Sequence, residues 1–262
     1  AKVLFQADNV IPHEKRFGDT FLTKLALSQG DKFQVLSESV AEDLKLFNKK
    51  NKPVIHSKHP VYNLFGDKIE KKEAREYIKK EFGVDVVNDK VILFFGYIRK
   101  YKGLNYLIDA MKEVVKEMNV KLLIVGEFYE DETKYREQIE QNRLEKNIFV
   151  ISEFMPNEKV RYFFSASDCV VLPYNSATQS GITQIAYFYD KPVIATKVGG
   201  LSEVILNDKT GYLVEPKNSQ EIAQVILNFY KENKEEEFSK NVSEEKKKYM
   251  WEIFVKEMIS NN

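Results

Sequence analysis

Two clusters in this sequence have residue types and spacing suited to holding an anion. The first is Gly96-Tyr97-Ile98-Arg99-Lys100-Tyr101-Lys102-Gly103, in which Arg99 and Lys102 follow an apolar run and precede a glycine. Cations at that point neutralise a bound diphosphate and hold its charge as it departs. The second is Thr178-Gln179-Ser180-Gly181-Ile182, a short way after the apolar run Cys169-Val170-Val171-Leu172. A helix opening near Gly181 leaves the N–H groups of Ser180, Gly181 and Ile182 at the positive end of the helix dipole, a cradle for a phosphate. Thr178 and Gln179 are placed to bond a sugar hydroxyl. Solvated surface charge is the competing reading for Arg99 and Lys102, and Ser-Gly turns are common between strand and helix. The two clusters together point to a diphosphate-bearing donor.

Other polar residues and glycines close apolar runs. Gly126 ends one and clears space for a ligand, with Glu127 behind it; Glu153-Phe154 follows another and is placed to contact a base or ribose, with packing an equal rival. Gly199-Gly200 permits close backbone approach, and Glu203 after it either braces the turn or touches substrate. The histidines are His13, His56 and His59. Their spacing with Cys, Asp and Glu forms no metal-ligand pattern, and no Ser-His-Asp set can be argued. No G-x-G-x-x-G follows a strand, which argues against a nicotinamide enzyme.

These residues need a scaffold, and the hydrophobic pattern supplies one. Strands are expected at residues 90–96, 120–126, 147–151, 168–172, 192–196 and 211–214. Helices are expected at 104–118, 131–144, 157–167, 182–189, 200–206 and 219–232, with Pro156 opening the third and Ser219 capping the last. Continuous apolar strands alternating with helices make a doubly wound parallel sheet, whose ligands sit beyond the strand carboxyl ends. Gly96, Gly126 and the Gly181 turn all fall at such ends.

The first 65 residues read differently. Strands at 3–5, 33–36 and 53–55 and helices at 19–27 and 39–47, capped by Asp19 and Ser39, are too few for an independent doubly wound domain. The expectation is the tail of a first domain whose beginning is absent, over residues 1–65. A donor-binding domain over 66–245 follows, then a terminal helix over 246–262 that packs back through Tyr249, Trp251, Phe254, Val255 and Ile259.

The bulk composition sets outer limits. The chain has 262 residues, 43% of them hydrophobic, with 40 Lys+Arg balancing 40 Asp+Glu. Balanced charge gives no field for nucleic acid. The single cysteine, Cys169, cannot form an intrachain disulfide, so a reducing, cytoplasmic setting is expected. No apolar run approaches the ~20 residues of a membrane-spanning helix.

The runs F-G-Y-I-R-K-Y-K-G-L, L-L-I-V-G-E, S-A-S-D-C-V-V-L-P-Y and K-P-V-I-A-T-K-V-G-G-L-S-E-V-I, with T-G-Y-L-V after them, resemble the group 1 glycosyltransferases (glycosyltransferase family 4). The match is strong from about residue 90 to 233. Ala7-Asp8-Asn9-Val10-Ile11-Pro12-His13-Glu14 looks like a loop ending that family's first domain. The resemblance implies an α/β fold of GT-B type, two Rossmann-like domains facing a cleft, of which the first is incomplete here. It implies a retaining transfer of a hexose-type sugar from a UDP- or GDP-linked donor to an acceptor hydroxyl, in surface polysaccharide biosynthesis. Arg99 and Lys102 would stabilise the leaving diphosphate, and residues 178–182 form the donor loop. The nucleoside would lie between Gly126-Glu127 and Glu153-Phe154, with Asp8 and His13 on the acceptor side. No metal or cofactor is implied; the acceptor is a glycan or lipid-linked glycan, with peripheral inner-membrane contact through the missing part. The family's E-x7-E pair falls at Ala177 and Ile185, leaving Gln179 and Gln184 as partial substitutes. The alternatives are a non-catalytic nucleotide-sugar-binding domain and a nucleotide-sugar epimerase of the same fold.

Overall fold

The computed structural model describes residues 2–12 and 17–260. His13 lies outside the described residues. Two parallel sheets organise the chain. The first contains β1 (Leu4–Ala7), β2 (Lys32–Val35) and β3 (Val54–His56) in sequential order, joined by α1 (Asp19–Ser28) and α2 (Glu38–Lys45). Beyond residues 57–70 come α3 (Lys71–Phe82), β4 (Lys90–Phe95), α4 (Leu104–Glu117), β5 (Val120–Val125), α5 (Thr133–Gln141), β6 (Ile148–Ile151) and α6 (Asn157–Ala166). Then follow β7 (Cys169–Leu172), α7 (Gly181–Phe188), β8 (Val193–Thr196), α8 (Leu201–Val204), β9 (Gly211–Val214) and α9 (Ser219–Lys231). Helices α10 (Lys234–Glu245) and α11 (Trp251–Ser260) close the chain.

The second sheet has six parallel strands in the order β6-β5-β4-β7-β8-β9. Successive residues of each strand feed opposite cores, as the two-residue period of a strand requires. Val91, Leu93 and Phe95 pack with α3, α6 and α7, whereas Ile92 and Phe94 pack with α4, α5 and α9. Burial on both faces explains the uninterrupted apolar runs. Cys169 sits in the second of these cores, and burial pushes its thiol pKa up. The fold is α/β of GT-B type, as expected.

Some local expectations needed correction. Helix α3 does not stand out in the sequence: Lys71–Phe82 is mostly charged, and only Ala74, Arg75 and Ile78 are buried. Three caps sit one or two residues upstream of the residues chosen. Gly18, with φ +91°, precedes α1, so Asp19 is its first helical residue. The Ser37 hydroxyl accepts from Val40 N–H in place of Ser39, and Asn218 accepts from Glu221 N–H in place of Ser219. At the end of the chain Tyr249 and Phe254 are buried, but Trp251, Val255 and Ile259 are exposed, so the expected apolar face packs only in part. The anchor there is backbone: Val61 N–H donates to Tyr249 O at 2.8 Å.

The base of β7 carries the most heavily shared buried charge. The Asp168 carboxylate accepts from Arg75 Nη2 and Lys71 Nζ, both at 2.9 Å, from Val91 N–H at 2.7 Å and from Tyr230 Oη at 3.0 Å. Four donors supply the partners that a buried carboxylate requires. This network lies at the sheet edge opposite to the glycine-rich one and ties α3 and α9 to it.

Candidate functional site

Strand order reverses between β4 and β7, since the chain builds outward from β4 to β6 and then returns to lay β7 on β4's other side. Loops leaving two such strands diverge to opposite faces and open a crevice at their carboxyl ends. Gly96 follows β4 with φ +100°, and Gly126 follows β5 with φ +143°. A side chain on Gly126 would place Cβ 2.3 Å from Gly96 O, so the two glycines abut through bare backbone. They form the floor of a cleft of about 250 Å³, with Lys102, Glu127, Phe154 and Ile182 among its walls.

Lys102 belongs to the 3-10 turn Lys100–Lys102, and its side chain turns inward. It is only 7% exposed. A Cβ on Gly96 would lie 3.3 Å from Lys102 Nζ and 3.1 Å from Ile182 Cδ1. The ammonium and the first turn of α7 therefore meet over one floor. Burial pushes the Lys102 pKa down to about 8; Tyr101 opposes that shift and Arg99 adds to it. The Tyr174 ring, centred 5.5 Å from Nζ, faces the ammonium, and among the described residues no carboxylate pairs with it. A cation held this way is poised to accept an anionic ligand.

Residues 174–180 carry the chain from β7 to α7. Ser180 takes the N-cap position in extended backbone but contributes no capping bond, leaving the first N–H groups of α7 free of side-chain caps. Its hydroxyl is 3.5 Å from Tyr174 Oη, whose pKa burial raises to about 12. Gly199-Gly200 presses on this loop from behind. Gly199 has φ +44°, and a Cβ there would stand 1.7 Å from Ala177 O, while Gly200 N–H donates to Thr178 O at 2.9 Å. Around the helix start, Asn175 Oδ1, Gln179 Oε1, Thr183 Oγ1 and Gln184 Oε1 are buried with no hydrogen-bond partner among the described residues. Such atoms are rare in folded proteins, and an ordered water, an ion or a ligand can complete their bonding.

The structure brings some of the expected residues together and separates others. Gly96, Lys102, Gly126, Glu127, Phe154 and Ile182 share the cleft. Thr178, Gln179, Ser180 and Gly181 form the loop and helix start at its side. Arg99 lies on the turn's outer flank, its guanidinium 4.5 Å from the Tyr129 ring centre, so it reaches Lys102 through its field. Glu153 is exposed and does not line the cleft, whereas the next residue, Phe154, does. Ala177 and Ile185 are buried in the apolar core.

The first sheet turns its own carboxyl edge toward this loop. Asp8, just after β1, offers its backbone oxygen to Gln179 Nε2 at 3.4 Å. His59 Nδ1 bonds Pro60 O at 2.9 Å, and its Nε2 lies 3.4 Å from Tyr62 Oη. Burial lowers the His59 pKa and raises that of Tyr62, with Asp8 within electrostatic reach of both. Tyr62 covers Gly181 so closely that a Cβ there would be 2.8 Å from its ring. Glu203 bonds across the gap: its two oxygens each accept from Glu38 N–H at 3.0 Å, at the start of α2. It braces the two sheets rather than facing the cleft. Tyr62 and Phe65 were not picked out from the sequence because neither sits at a glycine-marked strand end.

Comparison with known proteins adds the following. The family model described as "Glycosyl transferases group 1" matches residues 75–249. N-acetyl-alpha-D-glucosaminyl L-malate synthase of Bacillus anthracis is 25% identical over 238 residues, covering 91% of this chain and 59% of that protein. An uncharacterized glycosyltransferase of Methanocaldococcus jannaschii is 28% identical over 193 residues, 72% of this chain and 48% of its own length. The chain thus spans about half the length of the curated relatives it matches. Among solved structures, sucrose-phosphate synthase from Thermosynechococcus elongatus superposes with a TM-score of 0.79 at 18% identity, over 98% of this chain and 66% of that one. Anabaena HepE, solved with UDP and glucose, gives 0.79 at 20% identity over 99% of this chain and 70% of its own. At these identities the structural likeness is one of fold.

Proposed function

The chain belongs to the group 1 glycosyl transferases, and from that premise we propose that it binds a nucleotide-diphosphate sugar and supports transfer of its hexose-type sugar to an acceptor hydroxyl with retention. The observation that carries this reading is the meeting of a buried ammonium, Lys102, with the uncapped start of α7 over a glycine floor. One side offers charge and the other offers N–H donors, the two demands of a diphosphate. Anabaena HepE has been solved with UDP in a molecule of the same fold, which supports a uridine donor as the first choice.

In the step proposed, the bond from the anomeric carbon to the donor oxygen breaks, and its electron pair stays on the departing diphosphate. The acceptor oxygen forms its bond on the same face, and its proton passes to a diphosphate oxygen. Lys102 and the α7 N–H groups stabilise the charge that develops, and Arg99 contributes through its field. Removing one such donor typically costs ~10²–10³ in rate. Phe154 and Tyr97 offer aromatic faces for the base at the cleft rim. Surface-glycan assembly at the cytoplasmic face is the role proposed. No described helix is long and apolar enough to cross a membrane.

A thermal-shift screen with UDP-glucose, GDP-mannose and ADP-glucose tests the donor assignment. Ligand at 100-fold its dissociation constant adds about 2.7 kcal/mol of stability. One nucleotide class should raise Tm by several degrees, with its nucleoside diphosphate better than its monophosphate. Equal shifts from UMP and UDP, or none from any donor, would count against a diphosphate site.

A further inference from the structure

The ammonium over the cleft rides on a turn too short to fix itself. Residues 100–102 make a single 3-10 turn, closed by Lys102 N–H to Arg99 O at 2.9 Å, and Gly103 follows at φ +65°. What seats the turn is the loop after β7. The Pro173 carbonyl lies where a Cβ on Gly103 would be, at 2.0 Å. The Tyr174 ring meets Tyr101 edge-on, centres 6.1 Å apart, and underlies Lys102 Nζ. Asn175 then makes two bonds to the turn. Its N–H donates to Tyr101 O at 2.7 Å, and its Nδ2 donates to Lys100 O at 3.3 Å.

The first of these bonds survives any substitution at 175 except proline; the second needs a side-chain donor. Donation to Lys100 O also sets which way the amide faces, and leaves Oδ1 buried and unpartnered. Five residues further on, the same segment becomes the cap of α7, and Tyr174 links back to Ser180. The cation turn and the amide-lined helix start are thus mounted on one piece of chain. We propose that Asn175 is a positioning residue for Lys102, pinning the turn of residues 100–102 to the β7–α7 loop so that the ammonium stays over the Gly96–Gly126 floor. Its consequence for ligand binding rests on the reading of Lys102 as a diphosphate-binding cation.

Two measurements on the full chain test this. The first needs no ligand: competitive acetylation across pH, read at Lys102 by mass spectrometry. In the parent its inflection should lie near 8. In Asn175→Ala, where the turn is released toward water, the inflection should climb toward the ordinary lysine value, and Asn175→Ser should restore it. The second is calorimetry with UDP and UMP as probes. Asn175→Ala should weaken UDP roughly 2–13-fold and leave UMP unchanged. The double variant with Lys102→Ala should bind UDP no worse than Lys102→Ala alone. An unmoved Lys102 inflection in folded Asn175→Ala, or losses that add in the double variant, would overturn the positioning role. If that variant lacks the parent's far-UV circular dichroism, Asn175→Val is read by the same criteria. A parent that ignores UDP while the Lys102 inflection still moves in Asn175→Ala sinks the diphosphate reading alone. Normal UDP binding with an unmoved inflection sinks the positioning role alone.

Discussion

Lys102 gives up hydration that no carboxylate among the described residues returns, and burial lowers its pKa. Its folded value near 8 lies below the ordinary 10.5, so between those limits the unfolded chain holds more protons. Stability from this residue is therefore least at neutral pH and grows as pH rises through that window. Lys102→Met should raise Tm at pH 7 by roughly 2–6 °C, an advantage that shrinks toward pH 10, while diphosphate binding is lost. A Tm that falls at pH 7 would show that the ammonium is already compensated in the fold. The same residue gives binding a pH signature. Above pH 8 the site must take up a proton to receive a diphosphate, so UDP affinity should decline about tenfold per pH unit there. Calorimetry in buffers of different ionisation enthalpy reads that proton directly; heats independent of buffer at pH 9 would contradict it.

At the scale of elements, the strands of the second sheet were legible because burial on both faces leaves apolar runs that only a strand of that length explains. Glycines at strand ends marked the cleft floor for a related reason: Gly96 and Gly126 touch backbone to backbone, and that demand is written in residue type. Helix α3 was not legible, because its burial falls on Ala74, Arg75 and Ile78 and an arginine hides the apolar stripe. The seating of the cation turn was hidden as well. Asn175 and Tyr62 act through contacts to distant segments, and nothing in their own spacing announces them. Arg99 and Lys102 look equivalent in sequence, and only the 3-10 turn directs one to the cleft and the other onto Tyr129. Gly103 permits that turn, and the claim can be tested. Gly103→Ala combines φ +65° with a carbonyl at 2.0 Å from the new Cβ, and should cost about 1–3 kcal/mol in urea unfolding. A cost below a few tenths would mean the turn moves freely away from Pro173.

For the molecule as a whole, the carboxyl edges of both sheets converge on the segment from β7 to α7. Glu203 carries much of that convergence. It fills the N–H groups of Glu38 and Ser39, while Ser37 fills that of Val40, so α2 is capped partly from the other sheet. Glu203→Ala should destabilise by about 1 kcal/mol, as lost caps do, and should loosen the first sheet more than the second in hydrogen exchange. Uniform exchange across both sheets in that variant would show that they are held together elsewhere. The opposite edge is held by Asp168, and Asp168→Ala should cost about 3–5 kcal/mol by stranding Arg75.

The most direct test of the account is a crystal structure of this chain with bound UDP. The expected result has the diphosphate over Gly96 and Gly126, one side within hydrogen-bonding distance of Lys102 Nζ and the other facing the N–H groups of Gly181 and Ile182. A diphosphate bound away from Lys102, or turned so that the start of α7 makes no contact with it, would contradict the assignment of this cleft.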